Sequence, residues 1–273
     1  FVGTTSPAGT IMATSIWGGS ASWTLTALPM FVWMGEILFR SRLSEEMFKG
    51  LAPWLNRLPG RLFHVNVIGC GIFAAACGSS AATMATIGRI SLPELDKRGY
   101  EPSLSMGALT SAGTLGIMIP PSITFIVYGV SAEVSIARLF AAGILPGIVL
   151  MLLFMGYIAF WSMLHKDKMP PPEPSIAFME KLKLSRHLIP VCILIALVIG
   201  SIYTGLATPT ESAAIGVAGA LLLSAISCTL TRANFIESVR ESVRTSCMIA
   251  FIIMGSMFLS SAVDFTGLPT TIA

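Results

Sequence analysis

The sequence predicts an all-α polytopic membrane protein. Of its 273 residues, 54% are hydrophobic and only 11% are charged, whereas a soluble domain carries roughly 25% charged residues. The mean hydropathy is +0.79, and long apolar segments alternate with short clusters of charge. This composition excludes an ordinary soluble domain. The net charge of +3 is small and confined to loops, so no nucleic-acid partner is expected.

Apolar segments and basic loops together predict the topology. The segments are 23–39, 62–90, 103–131, 139–164, 188–203, 212–230 and 247–263. Lysine and arginine concentrate in the cytoplasmic loops of membrane proteins, and one topology places every basic cluster on that side. In this topology the segment 62–90 leaves the cytoplasmic side and returns to it.

The length of segment 62–90 favours a re-entrant hairpin. A polar turn at Cys77-Gly-Ser-Ser80 divides it, which leaves two helical legs of about 14 residues, each about 20 Å long. The hydrocarbon core is about 30 Å thick, so two complete spans do not fit comfortably. We therefore predict a helical hairpin with its tip near mid-membrane; two short tilted helices remain the alternative.

The uncharged run 102–132 predicts an interrupted transmembrane helix. Its centre reads Gly113-Thr-Leu-Gly-Ile-Met-Ile-Pro-Pro-Ser122, and the two prolines cannot donate backbone hydrogen bonds. Lipid tolerates a broken helix only where protein or a water-filled cavity meets the break. Secondary transporters build binding sites at the midplane from such helices. Asymmetric broken segments favour this class over a channel, which would need a ring of repeated subunits.

The hairpin tip and the helix break supply the candidate binding residues. Gly78 can form the turn, and Ser79 or Ser80 can cap the returning leg. We expect carbonyls near Thr114 to Gly116 to close the first half of the broken helix and Pro120 or Pro121 to open the second. If the break meets the tip, carbonyls and hydroxyls can ligate sodium, and free helix amides can face an anionic substrate.

The predicted ion- and substrate-binding residues are Gly78, Ser79, Ser80, Thr83, Thr114, Gly116, Pro120, Pro121 and Ser122. Four of them are predicted sodium ligands: Ser79, Ser80, Thr114 and Gly116. An alternative stays open for the serines and threonines of the hairpin, because small residues also allow helices to pack closely.

Other polar residues are expected to have structural roles. Thr208-Pro-Thr-Glu211 has the spacing of a capping box with proline at the first helical position. Glu36 lies one turn before Arg40, which predicts an ion pair at a helix end. Ser91 and Glu94 also have capping-box spacing, which predicts a short helix that Gly99 closes.

Two further segments predict structure outside the spans. Residues 44–58 have the pattern of an amphipathic helix lying in the membrane interface, and 232–246 offer a similar mixed helix before the last span. The run Pro170-Pro-Pro-Glu-Pro174 predicts a stiff extended linker.

Enzymatic chemistry has no support in the sequence, and no catalytic residue is predicted. A membrane serine protease would need a histidine at membrane depth beside its serine, and no phosphate-binding loop is present. The five cysteines lie in apolar segments without a Cys-x-x-Cys pair, which favours buried thiols over a metal site. The chain starts at Phe1 and ends at Ala273 without a closing polar tail, so we expect a fragment that lacks both termini.

Several of these motifs, in this order, resemble the large membrane subunit of tripartite ATP-independent periplasmic (TRAP) transporters. The resemblance covers most of the chain. Its motifs are Pro29-Met-Phe-Val-Trp-Met-Gly-Glu36, Phe73-Ala-Ala-Ala-Cys-Gly-Ser-Ser-Ala-Ala-Thr83, Ile87-Gly-Arg-Ile-Ser-Leu-Pro93, Gly99-Tyr100, the stretch 113–122, Leu139-Phe-Ala-Ala-Gly-Ile-Leu-Pro-Gly147 and Gly205-Leu-Ala-Thr-Pro-Thr-Glu-Ser-Ala-Ala214.

The resemblance implies an elevator-type ion-transporter fold in a bacterial inner membrane. It implies sodium-coupled import of organic anions, such as C4-dicarboxylates or sialic acid, with sodium as the coupling ion and no other cofactor. The implied partners are a small membrane subunit and a periplasmic substrate-binding protein. An organic-anion carrier that works without a binding protein is the alternative.

With the resemblance, the sequence predicts four parts. Residues 1–61 form a scaffold of a transmembrane helix and an interfacial helix, and 62–137 form the first repeat of the transport domain. Residues 138–187 form a transmembrane helix and a cytoplasmic proline-rich linker, and 188–273 begin a second, truncated repeat.

Overall fold

The computed structural model describes residues 8–170 and 177–265. Within these residues it contains thirteen α-helices, two short 3-10 helices and no strand. The α-helices are α1 (Ala8–Ser20), α2 (Ala27–Phe39), α3 (Leu43–Leu55), α4 (Leu62–Cys77), α5 (Ser80–Lys97), α6 (Pro102–Gly113), α7 (Leu115–Met118), α8 (Ile123–Ser131), α9 (Ile136–Leu164), α10 (Phe178–Ser185), α11 (Ile189–Tyr203), α12 (Pro209–Ile226) and α13 (Arg232–Phe265). Most of the predicted linker at 170–174 lies outside the described residues.

Membrane-spanning helices account for much of the described chain. Four stretches are long and apolar enough to cross a bilayer: Pro102–Ser131, Ile136–Leu164, Pro209–Ile226 and Arg232–Asp264. The number rises to six if two bent helix pairs each count as one span. The prediction of an all-α polytopic membrane protein is confirmed.

Helix α2 occupies the centre of the described structure and packs against α4, α8, α12 and α13. Phe31 of α2 meets Phe140 of α9 edge to face, with ring centroids 6.2 Å apart. Phe140 also contacts Phe125 of α8 at 6.4 Å. This phenylalanine cluster (Phe31, Phe125 and Phe140) ties three helices together through dispersion contacts, which drive helix association where lipid surrounds the protein.

Helices α4 and α5 form an antiparallel hairpin. Gly69 and Ile87 lie nine residues before and after Gly78, and a Cβ on Gly69 would lie 3.7 Å from the Ile87 side chain. The legs have 16 and 18 residues, somewhat more than predicted, because α5 continues past the first basic residue. Neither leg alone meets the length and hydropathy of a span. The placement of the tip at mid-membrane stays a prediction.

The predicted short helix beginning at Ser91 is wrong. Ser91 lies inside α5, which continues to Lys97 with Pro93 in its interior. Ile87, Ser91 and Leu95 are each fully buried and recur every four residues, so one continuous helix buries a stripe that a new helix start would interrupt. Gly99 does close the helix, with φ +76°.

Helix α13 is a single helix of 34 residues, about 51 Å long. The predicted mixed helix 232–246 and the predicted span 247–263 are therefore one element. Trp33 of α2 donates to the Ser238 hydroxyl at 3.2 Å, and the Ser242 hydroxyl donates to the Pro29 carbonyl at 3.2 Å. Side-chain hydrogen bonds thus join the charged half of α13 to α2.

Candidate functional site

The tip of the hairpin forms as the sequence predicts. Gly78 ends α4 with φ +64°, a conformation that glycine adopts without steric cost. Its N–H donates to the Ala74 carbonyl at 2.8 Å. Ser79 is the N-cap of α5, and its hydroxyl accepts from the Ala82 N–H at 3.4 Å. The tip therefore places a helix C-terminus and a helix N-terminus side by side.

The predicted interruption of the helix over 102–132 is confirmed, but its second half begins later than predicted. Helix α6 ends at Gly113, the single turn α7 follows, and α8 begins only at Ile123. Pro120 and Pro121 lie in the connection, joined by a cis peptide, so the prediction that either opens α8 is wrong. A proline disfavours helical geometry at the preceding residue. The Ser122 hydroxyl donates back to the Ile117 carbonyl at 2.6 Å.

The hairpin tip and the helix break contact each other directly. The Ser80 hydroxyl donates to the Gly113 carbonyl at 2.8 Å, and the Ile123 N–H donates to the Gly78 carbonyl at 3.1 Å. A Cβ on Gly116 would lie 2.7 Å from the Ser80 nitrogen, and one on Gly78 would lie 2.4 Å from the Pro121 carbonyl oxygen. The contact, here called the tip–break junction (78–80 against 113–123), depends on glycine at both positions.

A cavity of about 580 Å³ opens at the tip–break junction. Four parts of the structure line it: α2, the hairpin tip with the start of α5, the turn α7 with the start of α8, and α13. The first residues of both α5 and α8 are in its wall, including Ser80, Ala81 and Thr124. Two helix N-termini, each with a partial positive charge, therefore face the same space.

The predicted site residues fall into two groups and two separate threonines. Gly78, Ser79 and Ser80 line the cavity. The buried residues Gly116, Pro120, Pro121 and Ser122 form the break beside it, and of these Gly116 and Pro121 approach the tip most closely. Thr83 is fully buried and its hydroxyl has no partner among the described residues. Thr114 is exposed, and its hydroxyl donates to the Ser111 carbonyl at 2.6 Å.

Sequence reasoning missed the contribution of α2 and α13 to this cavity. Glu36, Thr124 and Thr245 line it but were not among the predicted site residues. The predicted Glu36–Arg40 ion pair is confirmed, with 3.3 Å between nitrogen and oxygen. The available signal was a carboxylate inside an apolar segment, because such residues usually face a cavity or the protein interior.

Glycine brings α2 against the hairpin at this point. A Cβ on Gly35 would lie 2.9 Å from the Cys77 Cα and 3.3 Å from the Cys77 carbonyl oxygen. Helix α2 therefore approaches the end of α4 backbone to backbone, which carries the Glu36 side chain to the wall of the cavity.

Comparison with known families shows which family the chain belongs to. Residues 1–273 match the family model described as the tripartite ATP-independent periplasmic transporter, DctM component. The chain belongs to this family. The TRAP family resemblance drawn from the sequence motifs is thereby confirmed, and membership places the chain among transporter permeases rather than enzymes.

Several TRAP permeases are similar to the chain. The C4-dicarboxylate large permease DctM of Pseudomonas aeruginosa is 30% identical over 96% of this chain and 61% of its own length. The isethionate permease DctMQ of Oleidesulfovibrio alaskensis is 32% identical over 92% of this chain and 40% of its own length. The sialic acid large permease SiaM of Vibrio cholerae is 29% identical over 94% and 60%, respectively. The chain thus spans between 40% and 61% of these relatives.

Proposed function

We propose that this TRAP permease chain forms part of a sodium-coupled importer of small organic anions. The importer would lie in the bacterial inner membrane and work with a small membrane subunit and a periplasmic substrate-binding protein. The observation that carries the proposal is the tip–break junction, where the hairpin tip and the interrupted helix meet at one cavity.

The helix ends at the junction suit an anionic substrate. The N-termini of α5 and α8 both border the cavity, and free amides with the positive end of the helix dipole favour negative charge. The substrates named for the three relatives, a C4-dicarboxylate, isethionate and sialic acid, are small anions. We extend this substrate class to the present chain.

Oxygen ligands near the tip suit sodium, a hard cation that prefers carbonyl and hydroxyl oxygens. Ser79 and Ser80 line the cavity, and Glu36 brings a carboxylate to its wall. The Gly116 backbone packs closely against the tip, since a Cβ added at this position would lie 2.7 Å from the Ser80 nitrogen. In this proposal Ser79 and Ser80 are the principal sodium ligands, and the backbone near Thr114 and Gly116 completes the site.

In this proposal, alternating access arises from movement of a transport domain against a scaffold. We propose that 62–137 form the moving transport domain and that 1–61 belong to the scaffold. The cavity supports this division, because α2 of the proposed scaffold and the hairpin of the proposed transport domain both line it.

Ser80→Ala should weaken the sodium dependence of uptake. The loss of one oxygen ligand is expected to raise the sodium concentration for half-maximal uptake about tenfold, since interactions with charged groups contribute roughly 1.5–3 kcal/mol. The measurement is substrate uptake into proteoliposomes that contain the complete transporter and its binding protein. Thr110→Ala is the matched control, because the Thr110 hydroxyl is exposed and also donates to a backbone carbonyl, that of Met106 at 2.8 Å.

Two results would contradict the proposal. Uptake by the wild-type complex that is unchanged when potassium replaces sodium would exclude sodium coupling. Equal uptake with and without the binding protein would favour the carrier that needs no such partner.

Glu211→Gln should leave uptake and stability close to the wild-type values. Glu211 accepts from the Thr208 N–H at 2.8 Å within a complete capping box, and glutamine can accept the same bond. Glu211→Ala should instead lower the free energy of unfolding, because the Thr208 N–H loses its acceptor in the capping box. Denaturation of the purified protein and the same uptake assay check both; a large loss of uptake in Glu211→Gln alone would point to substrate contact.

A further inference from the structure

A second cavity lies away from the tip–break junction. It has a volume of about 640 Å³ and forms between the loop 56–61 and the C-terminal end of α9 with the residues that follow it. It shares no lining residue with the junction cavity. The proposed transport cycle assigns it no role.

Positive charge dominates this second cavity. Arg57, Arg61 and Lys166 line it, and its described lining contains no carboxylate. Arg61 is partly engaged, since it donates to the Pro170 carbonyl. The side chains of Arg57 and Lys166 are exposed and make no ion pair with any described residue. Two cations are therefore available to a ligand.

A buried hydroxyl in the same wall points to a ligand independently. Ser162 is only 4% exposed, it lines the cavity, and its hydroxyl has no hydrogen-bond partner in the described structure. A buried polar group without a partner is costly and rare in folded proteins. A ligand oxygen would satisfy it.

Glycine at position 60 lets the loop pack closely against α9 beside the Ser162 hydroxyl. Gly60 has φ +99°, and a Cβ there would lie 3.0 Å from the Ser162 hydroxyl oxygen and 2.5 Å from an Ile158 side-chain carbon. A larger residue would press against the hydroxyl that the ligand has to reach.

One side of the cavity opens onto the apolar surface of α9. Met163 lines the cavity and is 60% exposed, and Phe160 and Leu164 on the same helix are 64% and 63% exposed. Lys166 follows directly after this apolar helix. Positive charge, an unpaired hydroxyl and an adjoining lipid-facing surface fit a molecule with an anionic head and an apolar tail.

We propose that this cavity binds the phosphate headgroup of an anionic phospholipid. Arg57 and Lys166 hold the phosphate, and the Ser162 hydroxyl donates a hydrogen bond to it. The acyl chains lie along the exposed face of α9. Phosphate alone would satisfy the charges, but the apolar exit beside Met163 assigns the site to a lipid rather than to a soluble phosphate.

Native mass spectrometry of the full chain in detergent tests the proposal, with phosphatidylglycerol and phosphatidylcholine as probes. The wild-type chain should prefer phosphatidylglycerol, and Arg57→Ala/Lys166→Ala should weaken its binding about tenfold or more, since each cation near an anionic lipid contributes about 1 kcal/mol. Arg42→Ala/Lys49→Ala is the matched control. It removes the same charge from exposed positions outside the cavity and should bind as the wild-type chain does.

Ser162→Ala tests the hydroxyl with every charge kept in place. It should raise the melting temperature of the lipid-free protein, because it removes an unsatisfied buried group, and should reduce the added stabilisation by phosphatidylglycerol. Equal lipid binding by the two double variants, no preference between the two lipids, or an unchanged response of Ser162→Ala would overturn the proposal. Displacement of the lipid by equimolar glycerol phosphate would also overturn it in favour of a soluble phosphate.

Discussion

Gly116→Ala should strongly disrupt sodium-driven uptake. The added Cβ would lie 2.7–2.8 Å from the Ser80 nitrogen, the Ser79 carbonyl carbon and the Ser80 Cα. All three are backbone atoms, so no side chain can rotate away and the hairpin tip must shift. Overpacking of this kind costs about 1–3 kcal/mol, and we expect at least a tenfold rise in the sodium concentration for half-maximal uptake.

Gly107→Ala provides the matched control for this substitution. Gly107 lies in α6, upstream of the same break, and a Cβ there would meet nothing within 4 Å. Alanine is the better helix former, so this variant should transport normally and unfold at the same or a higher temperature. Uptake kinetics of both variants in proteoliposomes decide the matter. Normal sodium activation of Gly116→Ala would show that the close contact of tip and break is not needed for coupling.

Among the variants described, Phe140→Ala should lower the free energy of unfolding the most. Phe140 is 1% exposed and packs against Phe31 and Phe125 in the phenylalanine cluster. Its truncation leaves a cavity where α2, α8 and α9 meet, and buried Phe→Ala changes cost about 3–5 kcal/mol. Thermal unfolding of the purified protein in detergent measures the effect.

Phe160→Ala is the control from the same helix. Phe160 is 64% exposed, so its truncation removes few contacts within the protein, and the melting temperature should change little. Similar losses for the two variants would mean that the cluster does not hold the three helices together.

The two interruptions at the site could be predicted because their causes are local. Gly78 and the Pro120–Pro121 pair each act on the backbone of their own segment, and the returning leg has a serine cap at Ser79. The start of α8 was misplaced because Ser122 bonds back to Ile117, an interaction that depends on the path of the connection rather than on the preferences of either proline.

The remaining walls of the cavity could not be predicted from local patterns. Glu36 and Thr245 lie far apart in the sequence and meet at the cavity only because α2 packs against α4 and α13. The ion pair with Arg40 is a sufficient local reason for a carboxylate at Glu36. Its position in the cavity wall was therefore not predicted.

The fold was predicted best where hydropathy and charge changed together. The stretch Ile136–Leu164 corresponds closely to its predicted segment. Helix α5 was predicted too short, because the predicted apolar segment ends at residue 90 although the helix continues to Lys97. Helices α1 and α10 were not predicted; α10 is short and rich in charge, and α1 contains many small residues.

The unbroken length of α13 has a mechanical consequence. At about 51 Å it exceeds a hydrocarbon core of about 30 Å, and five of its six charged residues lie in the first thirteen positions. Those turns are therefore a stiff extension of the apolar part of the helix. With no proline to act as a joint, a tilt of the apolar end moves the charged end with it. The hydrogen bond between Trp33 of α2 and Ser238 limits this movement.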